Sequence, residues 1–179
     1  ASEHDVVSIS PSATSPALTS LDGLTCSYEN PGLLWRTAPP DDLQGQVMAQ
    51  DIIDRGVKRV AVIFQEGPYG EGLQEAFSAN FAGAGRTADL FQLAEDGASQ
   101  RDSAVADVAY GGYEEVVFIS SYKTDVVAFL LGAAAAGPYD DDDIGIMLAD
   151  AAYDEGILQD ASSANALFEQ IRGTRPSTQ

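Results

Sequence analysis

Four short apolar runs rich in β-branched residues mark the middle of the chain: Val60-Ala61-Val62-Ile63-Phe64, Ala88–Leu93, Val116-Val117-Phe118-Ile119 and Ile144-Gly145-Ile146-Met147-Leu148. Between them lie residues 72–82, 99–110 and 123–136, each with helical periodicity and long enough for a crossover helix. Strand-length runs alternating with such helices are the pattern of βαβ units, so the expected fold class is α/β, a doubly wound parallel sheet of Rossmann-like form. Gly83 and Gly85 follow the first helix and Gly137-Pro138 the third, where a left-handed stop or a proline blocks continuation. Ser99 or Asp102 offers a cap for the second.

The two ends break this rhythm. Val6-Val7-Ser8-Ile9 and Leu33-Leu34-Trp35 read as two strands separated by a turn-rich loop, and Pro39-Pro40-Asp41-Asp42 marks a boundary. After Leu148, residues 156–161 read as a short helix, residues 167–171 as a final strand, and Gly173-Thr174-Arg175-Pro176 as a connector. The division expected is a leading piece at 1–38, one α/β lobe at 39–172 and a connector at 173–179. A chain of 179 residues is long enough for one such core and too short for two complete α/β domains.

Charge narrows the function classes. Nine basic side chains against 28 acidic ones give a net charge of -19, which repels phosphate backbones and anionic lipid, so nucleic acid and membrane surfaces are poor partners. The longest greasy stretch, 126–136, falls well short of the ~20 apolar residues of a membrane helix. Cys26 stands alone, which excludes an internal disulfide and a cysteine-based zinc cluster. Ser2, Glu3, His4 and Asp5 interrupt any apolar stretch at the start, so no signal segment is read there.

In an open parallel sheet, ligands bind outside the carboxyl ends of the strands. The residues at those positions are 10–14 after the first strand, Tyr69 after Phe64, Tyr122 after Ile119 and Asp150 after Leu148. Small polar groups, two phenols and a carboxylate make a coherent polar rim. Each also has a plainer use: a tyrosine at a strand end often packs half-buried, and Asp150 is placed to cap a following helix. Gly67-Pro68-Tyr69-Gly70-Glu71-Gly72 occupies the place of a nucleotide loop but lacks the dinucleotide spacing and a P-loop lysine. Asp140-Asp141-Asp142-Asp143 has the charge to attract calcium, although such a run is more often a solvated loop. His4, the single histidine, has no Ser or Cys partner in a recognisable motif, so a hydrolase triad has no support; no metal or cofactor is expected either.

The stretch Ile9-Ser10-Pro11-Ser12-Ala13-Thr14-Ser15-Pro16-Ala17-Leu18-Thr19, then Trp35-Arg36-Thr37 with Gln44-Gly45, then Lys58 to Ile63 leading to Tyr69-Gly70-Glu71-Gly72, resembles the type I periplasmic binding proteins of the leucine/isoleucine/valine-binding group. The resemblance runs in order from about position 6 to 176. It implies two lobes closing on a ligand by hinge motion, with an amino acid's carboxylate and ammonium held by a first-lobe loop, here Ser12, Ala13 and Thr14. It implies that Tyr69, Tyr122 and Asp150 complete the cage from the second lobe, Asp150 being one methylene shorter than the glutamate usual there. Residues 36–40 and 173–176 would be two interlobe crossings, and the chain would be a lobe cut near its hinges with one first-lobe piece attached.

The expected function is therefore an extracytoplasmic solute-binding protein of an ABC-type uptake system, periplasmic or extracellular, taking a small branched-chain-like amino acid or related amide. Its partner would be a membrane permease. A ligand-sensing domain of a signalling receptor is the alternative, and an α/β enzyme ranks below both because no nucleophile–base pair is visible. The edge of the strand at 6–9 is a place where a second copy could pair.

Overall fold

A computed structural model describes residues 6–21, 27, 29, 31–94, 97–139 and 143–175. Five parallel strands form the main sheet: β3 (Val60–Gln65), β4 (Ala88–Leu93), β5 (Glu115–Ile119), β6 (Gly145–Leu148) and β7 (Ile171–Gly173), in the order β4-β3-β5-β6-β7. Two further strands, β1 (Ser8–Ser10) and β2 (Leu34–Arg36), pair in parallel as a separate ribbon, with Ile9 opposite Trp35. The chain runs from β3 outward to β4 and then returns to the other side of β3 to lay down β5. That reversal leaves a crevice between the carboxyl ends of β3 and β5, where a sheet of this kind receives its ligand.

Strand alternation sends residues to two cores. Val60, Val62, Phe64, Val117, Ile119 and Met147 face one side, where α1 (Asp41–Asp54) and α2 (Pro68–Gly83) bury Met48, Ile52, Leu73, Phe77 and Phe81. Ala61, Ile63, Val116, Phe118, Ile146 and Leu148 face the other, against α3 (Ala98–Tyr110), α4 (Lys123–Ala135) and α5 (Glu155–Asp160). Here Phe118 stacks on Phe129 with ring centroids 4.3 Å apart, and Tyr139 meets Phe129 edge-on at 6.4 Å, an arrangement that adds about 0.5–1.5 kcal/mol per pair to the burial itself. Gly85 and Gly137 have φ of 73° and 74°, the left-handed geometry that stops α2 and α4.

One helix was not anticipated and three expectations need correction. Residues 41–54 form a helix that the apolar pattern does not announce; Pro40 precedes it, and Asp41 and Asp42 occupy its positive N-terminal turn. α2 begins at Pro68, a turn earlier than residue 72, because proline's fixed φ suits the first helical position. Neither Ser99 nor Asp102 caps α3: Gly97 holds the cap position, and the Gln100 Oε1 accepts from the Ala94 amide at 2.7 Å instead. The final strand is Ile171–Gly173 rather than 167–171, since Ala161, Ala164 and Leu167 recur every third residue and bury one side of a 3₁₀ segment at Ser162–Glu169. The short helix at 156–161 appears as α5, capped by Asp154, whose Oδ1 accepts from the Gly156 amide at 2.7 Å.

Candidate functional site

The loop after β1 is tied down by side chains. Ser10 Oγ accepts from the Ala13 amide at 3.0 Å and lies 3.4 Å from that of Ser12, so these two N–H groups turn back into the loop. Arg36, the last residue of β2, donates through Nη1 to the Thr14 carbonyl at 3.0 Å and the Ser15 carbonyl at 2.8 Å, and through Nη2 to Thr19 Oγ1 at 2.6 Å. The Asp41 amide, at the start of α1, donates to the same Thr14 carbonyl at 3.0 Å. Thr14 is thereby buried with its carbonyl held from two sides, while Ser12 is exposed.

The opposing groups come from the strand ends. Gly67, with φ of 109°, turns the chain from β3 into Pro68, a backbone angle that side-chain-bearing residues avoid. Tyr69 follows in the first turn of α2, and its hydroxyl donates to Asp150 Oδ1 at 2.8 Å. Burial first, then the Asp150 carboxylate, pushes the Tyr69 phenol above its ordinary range, so it stays a neutral donor. Gly72 lets α2 approach the loop, since a β-carbon there would lie 3.2 Å from Pro16 Cδ.

Tyr122 occupies the position before α4 and is 46% exposed. Its backbone N–H donates to Ser120 Oγ at 3.1 Å, and the turn is fastened to β3 because Gln65 Oε1 accepts from the Ser121 amide at 3.2 Å and hydroxyl at 3.1 Å. Tyr69 and Tyr122, with Gln65 and Ser121, line a crevice of about 340 Å³ at the β3–β5 reversal. Thr14 and Asp150, with Gln44 and Thr174, line a neighbouring one of about 170 Å³. The Tyr69–Asp150 hydrogen bond bridges the two. Tyr69, Tyr122, Asp150 and Thr14 thus stand on one rim, whereas Ser12 and Ala13 line neither crevice.

A larger cavity, about 470 Å³, lies against the carboxyl ends of β6 and β7 with a floor that includes Leu130, Ile157 and Phe168. Size favours it, but Tyr69, Tyr122, Thr14 and Asp150 line the two smaller crevices joined by the Tyr69–Asp150 hydrogen bond, and these are the better candidates. Asp140, Asp141, Asp142 and His4 lie outside the described residues, among which no group of three or more acidic, histidine or cysteine side chains is placed to hold a metal.

Two residues of this rim were assigned other uses from the sequence. Arg36 read as the start of a crossing, and nothing in its spacing shows that it grips the Thr14 loop. Asp41 read as a boundary, yet it is fully buried with the Thr14 hydroxyl beside it, and among the described residues neither carboxyl oxygen has a hydrogen bond of good geometry. Burial pushes it up to about 6; the Thr14 hydroxyl and Arg36 pull against this shift and Asp150 adds to it.

No family model matches the chain. It is 34% identical over 125 residues to Leu/Ile/Val-binding protein homolog 3 of Brucella melitensis, covering 69% of this chain and 32% of that protein. Against the Leu/Ile/Val-binding protein BraC3 of Rhizobium johnstonii the identity is 32% over 128 residues, 71% of this chain and 30% of that one. The chain thus spans about a third of the length of the curated relatives it matches. Among solved structures, the leucine binding protein LivK from Thermotoga maritima superposes with a TM-score of 0.70 at 22% identity, over 90% of this chain and 43% of that one. An ABC transporter substrate-binding protein from Desulfitobacterium hafniense gives 0.62 at 21%, over 85% and 41%. At these identities the structures establish the likeness of fold.

Proposed function

We propose, from the premise that this chain belongs to the type I periplasmic binding protein family as a part-length relative of its Leu/Ile/Val-binding group, that it supplies the second lobe and an adjoining piece of the first to an extracytoplasmic receptor for a small amino acid. The Tyr69–Asp150 hydrogen bond on the rim facing Thr14 carries the reading. A neutral phenol holds one carboxylate oxygen and leaves the other lone pairs open, which is what a desolvated ammonium requires. Asp150 takes the ammonium, and Tyr69 orients Asp150. Tyr122 offers an aromatic wall, and the Thr14 hydroxyl a neutral donor for the ligand's carboxylate. Ser12 and Ala13 stay in the proposal as loop residues, although their N–H groups turn toward Ser10 and would have to reorient to reach a ligand.

In this reading the receptor closes about the crossings at 36–40 and 173–176 and delivers its ligand to a membrane permease of an ABC-type system, from the periplasm or cell exterior. A branched-chain-like amino acid is the favoured ligand and a related amide the alternative. Calorimetry with L-leucine on the protein carrying both lobes provides the test. Asp150→Ala is expected to weaken binding at least about thirtyfold, the low end for removing one partner of a buried charge pair. Unchanged affinity would reject the assignment.

The reading extends to self-association through the β1–β2 ribbon, where Ile9 and Trp35 stand opposite one another, 66% and 48% exposed. Light scattering at high concentration should then report a dimer or larger species; a strict monomer would dismiss it.

A further inference from the structure

Gln65, the last residue of β3, has its amide oriented by the turn after β5. Its Oε1 accepts from the Ser121 amide at 3.2 Å and the Ser121 hydroxyl at 3.1 Å, and the Ser120 hydroxyl stands 3.2 Å away. Ser120 has a single proton to give either to this oxygen or to Asp125 Oδ2, also at 3.2 Å, but the two donors of Ser121 hold Oε1 whichever way it points. A backbone N–H can only donate, so the Ser121 amide decides which end of the Gln65 side chain faces the turn. The backbone is held as well, because Gly70 packs so closely on the Gln65 carbonyl that a β-carbon there would not fit.

The other end, Nε2, carries two N–H bonds and donates to none of the described residues. It is not walled in: among the described residues, the buried polar side-chain atoms without a partner belong to Asp41, Arg101 and Gln170. Nε2 is therefore open where Gln65 lines the crevice with Tyr69 and Tyr122. An amino acid with its ammonium on Asp150 and its carboxylate on Thr14 has both of these groups in the smaller crevice and its side chain in this one.

We propose that Gln65 Nε2 reads the ligand's side chain, and that the site favours amino acids whose side chain carries a neutral carbonyl acceptor, as in L-asparagine, over apolar ones of the same branching. This rests on the binding role assigned above and, of the two ligand classes named there, tips the choice toward the amide. Closure strips water from Nε2; a carbonyl oxygen takes the water's place, whereas a methyl group leaves the donor unpaired. Glu66 on the same rim repels a side-chain carboxylate, so the acceptor that fits is uncharged.

Calorimetry on the protein carrying both lobes compares L-leucine with 4-oxo-L-norvaline, the same skeleton with a carbonyl oxygen in place of one methyl. The wild type is expected to bind the ketone about tenfold more tightly. Gln65→Glu keeps an oxygen for Ser121 but sets an acceptor where Nε2 stands, and is expected to erase that preference. A wild type that binds L-leucine as tightly as the ketone overturns the proposal while the binding role stands. So does a Gln65→Glu variant that weakens both ligands equally, the mark of a residue that only fastens the turn. If the wild type binds neither ligand, or Asp150→Ala binds L-leucine unchanged, the binding role falls and this inference with it.

Discussion

Replacing Arg55 by methionine will destabilise the fold by about 3–5 kcal/mol, the range for stripping a buried ion pair of one partner. Arg55 follows α1, and its guanidinium meets Glu115 at the start of β5 with two parallel bonds, Nη1 to Oε2 at 2.7 Å and Nη2 to Oε1 at 2.8 Å. Its Nε reaches Asp51 at 2.9 Å. The pair is unevenly buried, Glu115 being 1% exposed and Arg55 24%, so water reaches the cation and the effect belongs at the lower end of the range. Glu115 cannot turn away easily, because Gly145 of the neighbouring strand packs directly against its carboxylate. Urea denaturation should show a lower midpoint with an unchanged slope. The double variant Arg55→Met with Glu115→Leu should recover most of the loss, since two apolar groups of similar size replace the pair without leaving a charge behind. A single variant within about 1 kcal/mol of wild type would mean that Glu115 finds water or another donor.

Asp41→Asn will stabilise the protein at neutral pH and not in acid. The unfolded chain holds this carboxyl at its ordinary 3.8 and the folded chain at about 6, so folding takes up a proton between those values. Stability from this group is complete below about pH 4, falls as pH rises toward 6, and stays lower beyond it, a difference of about 3 kcal/mol across the window. Asparagine does not titrate, so the variant lacks that loss. Its buried amide has no evident partner and gives back about 1 kcal/mol at either pH, leaving a net gain of about 2 at pH 7 and a net loss of up to about 1 at pH 4. Chemical denaturation at both values gives the comparison. Equal wild-type and variant curves at both would place the Asp41 carboxyl in a better-solvated setting than the one described.

The contrast between what the chain pattern disclosed and what it hid follows from burial. β3, β5 and β6 are apolar on both faces, so their ends could be located, and with them Tyr69, Tyr122 and Asp150. α1 escaped because Met48, Ala49 and Ile52 turn inward while Leu43 and Val47 stay exposed, leaving no clean apolar stripe. Asp41 escaped for a different reason: nothing in residue type or spacing marks a carboxylate that will be buried, since the default for aspartate is exposure. Ala13 shows the converse, a residue placed in the ligand loop whose N–H the sequence could not show to be already engaged by Ser10.

The Thr14 carbonyl is gripped from both ends of one short span of chain: Arg36 reaches it from β2 and the Asp41 amide from α1. Any rigid swing across residues 37–40 that preserves both bonds has to turn about that oxygen, as a door turns on its pin. The threonine would then sit at the axis, where displacement is least, while Tyr122, just ahead of α4, would sweep the longer arc.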